Sequence, residues 1–134
     1  MPEDLRGLEA LVIPGGASTT ISLLLESSGT FEPLAHLISE GLPVLGTCAG
    51  MILLAKDVID GRPDQKSFAQ IDITVRRNGF GRQIASFESD LKISGFTTPF
   101  RGVFIRAPLV QSCDPSVETL ATIELDGGGQ STVL

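Results

Sequence analysis

Short apolar runs alternate with amphipathic stretches through the first part of the chain, and that alternation sets the expected fold. Leu8-Glu9-Ala10-Leu11-Val12-Ile13, closed by Pro14-Gly15-Gly16, reads as a buried strand of a parallel sheet ending in a turn. Ser18, Thr19 and Thr20 offer N-caps for a helix in which Ile21, Leu24 and Leu25 recur at helical spacing until Ser27-Ser28-Gly29 breaks it. Thr30 is placed to cap a second helix, with Pro33 in its first turn, Leu34, Leu37 and Ile38 on one face and Gly41 as its stop. Leu42-Pro43-Val44-Leu45 follows as a second buried strand, and Ala49 to Lys56 as a third helix. This order implies parallel strands joined by helical crossovers, hence an α/β fold with an open, mostly parallel sheet and flanking helices.

The second half changes character. Asp60-Gly61-Arg62-Pro63-Asp64 is a turn, Ile71-Asp72-Ile73-Thr74-Val75 alternates at period two, and Val103-Phe104-Ile105 does so more weakly. Arg76 to Gln83 holds two Gly and three Arg, a composition that suits a loop over a binding surface. Val117 to Leu125 reads as a further strand, Gly127-Gly128-Gly129 as a tight turn and Ser131-Thr132-Val133-Leu134 as the start of a hairpin partner. There is no internal repeat and no low-complexity linker, so residues 1–134 are expected to form a single domain.

Composition narrows the function classes. A 134-residue chain with 42% hydrophobic residues, 15 Gly and 8 Pro has enough Ile, Val, Leu and Phe for a folded core rich in turns. Its net charge of −6 opposes attraction to phosphate backbones and anionic lipid, so neither nucleic acid nor membrane is expected as a partner. No apolar run approaches the roughly 20 residues of a membrane span, and Met1-Pro2-Glu3-Asp4 resembles no signal sequence, so the chain reads as cytoplasmic. Cys48 and Cys113 are expected to be free thiols.

Gly46-Thr47-Cys48-Ala49-Gly50 lies between an expected buried strand and an expected helix, where a Gly-x-nucleophile-x-Gly corner makes physical sense. Small residues on both sides permit the sharp bend that pushes the Cys48 sulfur out of the sheet, and unpaired amides at a helix start favour negative charge there. The amide of Ala49 is a candidate donor to the oxyanion of a tetrahedral intermediate. A buried structural cysteine flanked by helix-start glycines is the plainer alternative. Pro14-Gly15-Gly16 ends the neighbouring strand and could set a second donor beside Cys48, although a Pro-Gly-Gly is by itself most often just a turn. Arg77, Arg82 and Arg106 could clamp a carboxylate, or singly be solvated charges. His36, the sole histidine, reads as a solvated helix-face residue, and Cys113, in the polar loop Gln111-Ser112-Cys113-Asp114-Pro115, as structural. Two Cys and one His without clustered spacing argue against a metal site.

Together, Pro14-Gly15-Gly16-Ala17-Ser18-Thr19-Thr20, the Cys48 corner, Arg77-Asn78-Gly79-Phe80-Gly81-Arg82-Gln83, Ser86-Phe87-Glu88 and Phe104-Ile105-Arg106-Ala107-Pro108 resemble one family over nearly the whole chain. It is the glutaminase subunit of pyridoxal 5′-phosphate synthase, a class I glutamine amidotransferase with a flavodoxin-like fold. The resemblance implies that Cys48 attacks the side-chain amide of L-glutamine, forms a glutamyl thioester and releases ammonia to a (β/α)₈ synthase subunit, with no cofactor. It implies oxyanion donors at Gly16 and Ala49, and glutamine contacts from Gly15, Gly16, Ala17, Ser18, Arg77, Ile105 and Arg106.

The sequence departs from that pattern in three ways. Ala17 stands where the family has Glu. A strand and helix that open the family fold, and a His-Pro-Glu segment that carries its catalytic His and Glu, have no counterpart in these residues, so the domain reads as incomplete at both ends. A cysteine without its base is a weakened catalyst, which keeps open a module that binds glutamine or the synthase without turnover. A thiol-dependent peptidase-like relative sharing the corner is a third reading, disfavoured by the arginine loop.

Overall fold

The computed structural model describes residues 1–77, 87–105, 107–125 and 128–134. After a 3-10 turn at Pro2–Leu5, the short strand β1 (Leu11–Ile13) runs into helices α1 (Ser18–Ser27) and α2 (Phe31–Ser39), and the chain returns as β2 (Val44–Gly46). β1 and β2 pair in parallel, Leu11 with Val44, Val12 with Leu45 and Ile13 with Gly46. Helix α3 (Ala49–Leu54) leads directly into β3 (Ala55–Val58), which pairs in parallel with β4 (Ile71–Arg76). The expected parallel architecture thus occupies the first half. The second half adds antiparallel pairs: β4 with β7 (Leu109–Cys113), β5 (Phe87–Leu91) with β6 (Phe100–Phe104), and β8 (Thr122–Leu125) with β9 (Gly129–Thr132).

The main core forms where the three helices meet one face of β1–β2. Ile13, Phe31, Leu34, Ile38, Leu53, Leu54 and Phe68 are buried together, and the Phe31 and Phe68 rings stack with centroids 4.7 Å apart. A second cluster of Ile52, Ala55, Ile73, Val75 and Val110 sits between α3 and the β3–β4–β7 sheet, and a third joins Leu91 and Ile93 to Ala121 and Ile123. Leu53 is fully buried at the centre of the first cluster. Truncating it to alanine removes three carbons and leaves a cavity, so Leu53→Ala is expected to lose about 3 kcal/mol, measured as a lower urea midpoint with unchanged slope.

Several boundaries differ from the sequence reading, each for a local reason. The first strand covers only Leu11–Ile13 of the apolar run, and it is buried on one face only. Val12 and its register partner Leu45 are 62% and 53% exposed, because all three helices pack on the opposite side. Ser18, Thr19 and Thr20 do not cap α1: Ala17 is its N-cap, and the Ser18 and Thr19 hydroxyls turn inward. Thr30 is the N-cap of α2 but makes no side-chain cap bond, its hydroxyl accepting from Ser28 Oγ at 2.8 Å instead. The stop at Gly41 is as expected, with φ +100 and its N–H donating to the Ile38 carbonyl. Helix α3 ends at Leu54 rather than Lys56, since Ala55 adopts extended φ −63, ψ 146 and begins β3. Strands β5 and β7 were not visible in the pattern, and Cys113 closes β7, half-buried, rather than sitting in a loop. The strand anticipated from Val117 begins only at Thr122; Gly128 turns the hairpin at φ +92, and Gly127 lies outside the described residues.

Candidate active site

The site grows from two corners at the ends of β1 and β2. Their pairing continues one step beyond the strands, where Thr47 N–H donates to the Ile13 carbonyl at 3.0 Å. The chain then reverses at Cys48, which takes φ 53, ψ −107, a combination that costs an L-residue of order 1–3 kcal/mol. Gly50 N–H donates to the Thr47 carbonyl at 2.9 Å and Ile52 N–H to the Cys48 carbonyl at 3.2 Å, so the reversal feeds straight into α3.

The two glycines that bracket Cys48 are required by space. A Cβ on Gly46 would lie 2.7 Å from the Gly50 carbonyl carbon and from Leu54 Cδ1, and one on Gly50 would lie 2.0 Å from the Ile13 carbonyl oxygen. The first turn of α3 is thus pressed onto the end of β1, and Cys48 is left exposed at the apex. The other corner lies against it: a Cβ on Gly15 would sit 3.4 Å from Cys48 Cβ and 3.8 Å from its Sγ.

Cys48 opens onto a cleft of about 370 Å³ whose walls include Gly46, Thr47, Met51, Ile105 and the 131–134 segment. Ile105 is brought to the same cleft as Cys48 from far along the chain, by way of β6, and is 62% exposed there. Met51 and the Ser131–Leu134 stretch, which nothing in the pattern marked as part of a site, also line it, with Leu45, Val103, Phe104, Ala107 and Pro108. No charged side chain is among the described residues lining this cleft.

The remaining sequence candidates fall in different places. Gly16 and Ala17 are exposed in the turn between β1 and α1. Ala49 is fully buried beneath the corner, backbone included, and neither it nor Gly16 is among the described residues lining the cleft. Among the described residues neither the Gly16 nor the Ala49 amide has a hydrogen-bond acceptor. Ser18 is 2% exposed, its hydroxyl points at Gln65 Oε1 at 3.5 Å, and it does not line the cleft. Arg77 follows β4, half-buried, with its N–H donating to Asp60 Oδ1 at 2.6 Å; it does not line the cleft. Arg82 and Arg106 lie outside the described residues. His36 is exposed on α2 and is not part of the cleft wall.

The segment after β3 holds charges that stand apart from the cleft. The Arg62 guanidinium bonds both Asp64 carboxylate oxygens, at 2.9 and 2.8 Å, and holds that carboxyl below its ordinary range. The Glu26 carboxylate, 2.8 Å from Lys66 Nζ, raises the lysine. Between them sits Gln65, a residue that sequence reasoning passed over. The signal that could have marked it is the Ser18, Thr19, Ser22 stripe, hydroxyls where an α1 core face should be aliphatic.

The architecture is that of a class I glutamine amidotransferase. A solved structure described as a glutamine amidotransferase superposes with a TM-score of 0.83 at 45% sequence identity, over 91% of this chain and 64% of that one. The chain belongs to the SNO glutamine amidotransferase family, whose model matches residues 1–133. Among its curated relatives, the pyridoxal 5′-phosphate synthase subunit PdxT of Corynebacterium jeikeium is 54% identical over 121 residues, 90% of this chain and 62% of the relative. The protein of the same name from Pyrococcus horikoshii is 49% identical over 124 residues, 92% of this chain and 63% of the relative. The chain therefore spans a little under two-thirds of the length of the relatives it matches.

Proposed function

We propose that residues 1–134 form one amidotransferase domain of a cytoplasmic glutaminase that supplies ammonia to a (β/α)₈ synthase subunit for pyridoxal 5′-phosphate synthesis. The observation that carries this reading is Cys48 held at φ 53, exposed on the cleft with Gly15 packed against it. A family of glutamine amidotransferases, and relatives named as synthase subunits, support the substrate and the partner. Two unpaired thiols suit a reducing compartment.

In this reading the Cys48 sulfur attacks the side-chain amide carbon of L-glutamine, and the carbonyl electron pair moves onto an oxygen received by the Gly16 and Ala49 amides. Such a donor contributes about 10²–10³ in rate when it is aimed at the developing oxyanion. Collapse of the intermediate breaks the carbon–nitrogen bond as the nitrogen takes up a proton, releasing ammonia and leaving a thioester. Water then cleaves the thioester to glutamate and returns the thiol. The turn from Gly15 through Ala17 to Ser18, with Arg77, Ile105 and Arg106, would hold the amino acid, and Ala17 brings no carboxylate to it. The thiol proton needs an acceptor, and His36 is not at the cleft to take it.

A chloromethyl ketone analogue of L-glutamine tests the reading directly. Mass spectrometry is expected to find one adduct, on Cys48, whose formation L-glutamine slows and D-glutamine does not. No adduct, or one indifferent to L-glutamine, overturns the glutamine site. Adduct formation together with no ammonia release from glutamine in the presence of the synthase subunit would instead select a module that binds without turnover.

A further inference from the structure

The inner face of α1 is unusual for a helix packed on a sheet. Its buried residues are Ser18, Thr19 and Ser22, whereas Leu23 and Leu24 face outward. Buried hydroxyls need partners, and here the partners come from one short stretch of extended chain. Gln65 Oε1 accepts from Thr19 Oγ1 at 3.0 Å and from Ser18 Oγ at 3.5 Å, and Lys66 N–H donates to Ser22 Oγ at 2.9 Å. Immediately beyond, Phe68 N–H donates to the Leu53 carbonyl at 2.6 Å and Gln70 N–H to the Leu54 carbonyl at 3.0 Å, at the C-terminal end of α3. One strap therefore grips the head of α1 and the tail of α3. Those helices are the ones that follow the Gly15–Ala17 turn and the Cys48 corner.

We infer that Gln65 is a positioning residue for the Gly15–Ala17 turn, fixing the turn against Cys48 through the Ser18 and Thr19 hydroxyls. The inference rests on the proposed reading of that turn as the wall that receives the oxyanion. Gln65 itself touches no part of the cleft. Its bonds reach the first two residues of α1, and Gly16 lies only two positions before Ser18, so a shift of the helix head moves the turn with it. The side chain is held through its oxygen alone: Nε2 is buried and has no partner among the described residues. The acceptor oxygen is therefore the group that ties this side chain to α1.

Gln65→Met keeps the length of the side chain and removes the acceptor. Thr19→Val removes the shorter bond from the other side with little change in shape. Labelling of Cys48 by the glutamine chloromethyl ketone is followed for the saturating rate and for the concentration giving half of it. Gln65→Met and Thr19→Val are expected to lose about tenfold in saturating rate with the half-saturating concentration little changed, as a misplacement of well under 1 Å would produce. In ¹⁵N-resolved spectra of the same proteins, Gly15, Gly16 and Cys48 amides should move in Gln65→Met while the β5–β6 hairpin stays in place.

Wild-type rates in both Gln65→Met and Thr19→Val would overturn the inference. A wild-type protein that fails to label at all refutes the glutamine reading instead. In that case unmoved Gly15 and Gly16 resonances in Gln65→Met still refute the positioning role, and local movement upholds it.

Discussion

Gly50→Ala is expected to abolish the folded state of this chain. The added methyl would have to occupy a point 2.0 Å from the Ile13 carbonyl oxygen, where van der Waals contact needs more than 3 Å. The clash is with backbone on one side and a helix on the other, so no rotamer change relieves it. Separating α3 from β1 would pull Leu53 and Leu54 off Ile13 in the main core and undo the Thr47 bond to Ile13 that closes the corner. A cost above about 4 kcal/mol follows, a large share of the stability of a domain this size. The measurement is soluble yield and the presence of a cooperative thermal transition. A Gly50→Ala protein that melts within a few degrees of wild type would show that helix and strand are not in the contact described.

Cys48→Gly is expected to act in the opposite direction on stability while eliminating the thiol chemistry. The corner demands φ 53, which an L-side chain resists and glycine accepts. Relief of that strain, less the greater freedom of glycine in the unfolded chain, leaves a gain of about 1 kcal/mol, or roughly 4 °C in melting temperature. Cys48→Ala removes the same sulfur but keeps the Cβ, so it should lose labelling equally and gain none of the stability. The pair separates strain from chemistry in two melting curves and one mass spectrum. If the glycine variant melts below the alanine variant, Cys48 is not held in a costly conformation.

The corners were legible in the sequence because their residues leave few alternatives. Gly46 and Gly50 at the end of a short apolar run, and Pro14-Gly15-Gly16 at the end of another, announce two sharp exits from a sheet. Helices α1 and α2 were equally plain from spacing. The strands of the second half were less so, since β5 carries Glu88 and Asp90 on an outward face paired with Arg101, and β7 ends in Gln111-Ser112-Cys113, so neither shows an apolar alternation. Proximity across the chain was invisible: nothing local in Ile105 says that it shares a cleft with Cys48, and nothing in Gln65 says that it holds α1. The inward turn of Ser18 and Thr19 misled because hydroxyls before an apolar run usually cap a helix, and here a tertiary acceptor took them instead.

Pairing Ile13 with Gly46 sends both exits off the sheet at the same rung. Strand residues advance about 3.3 Å each and alternate sides, so one residue gained or lost in either strand would lift one exit away from the other and turn its next side chain over. Drift in chain length is therefore barred from these two three-residue strands, and is free to accumulate only where the chain departs and returns without keeping step with a neighbour.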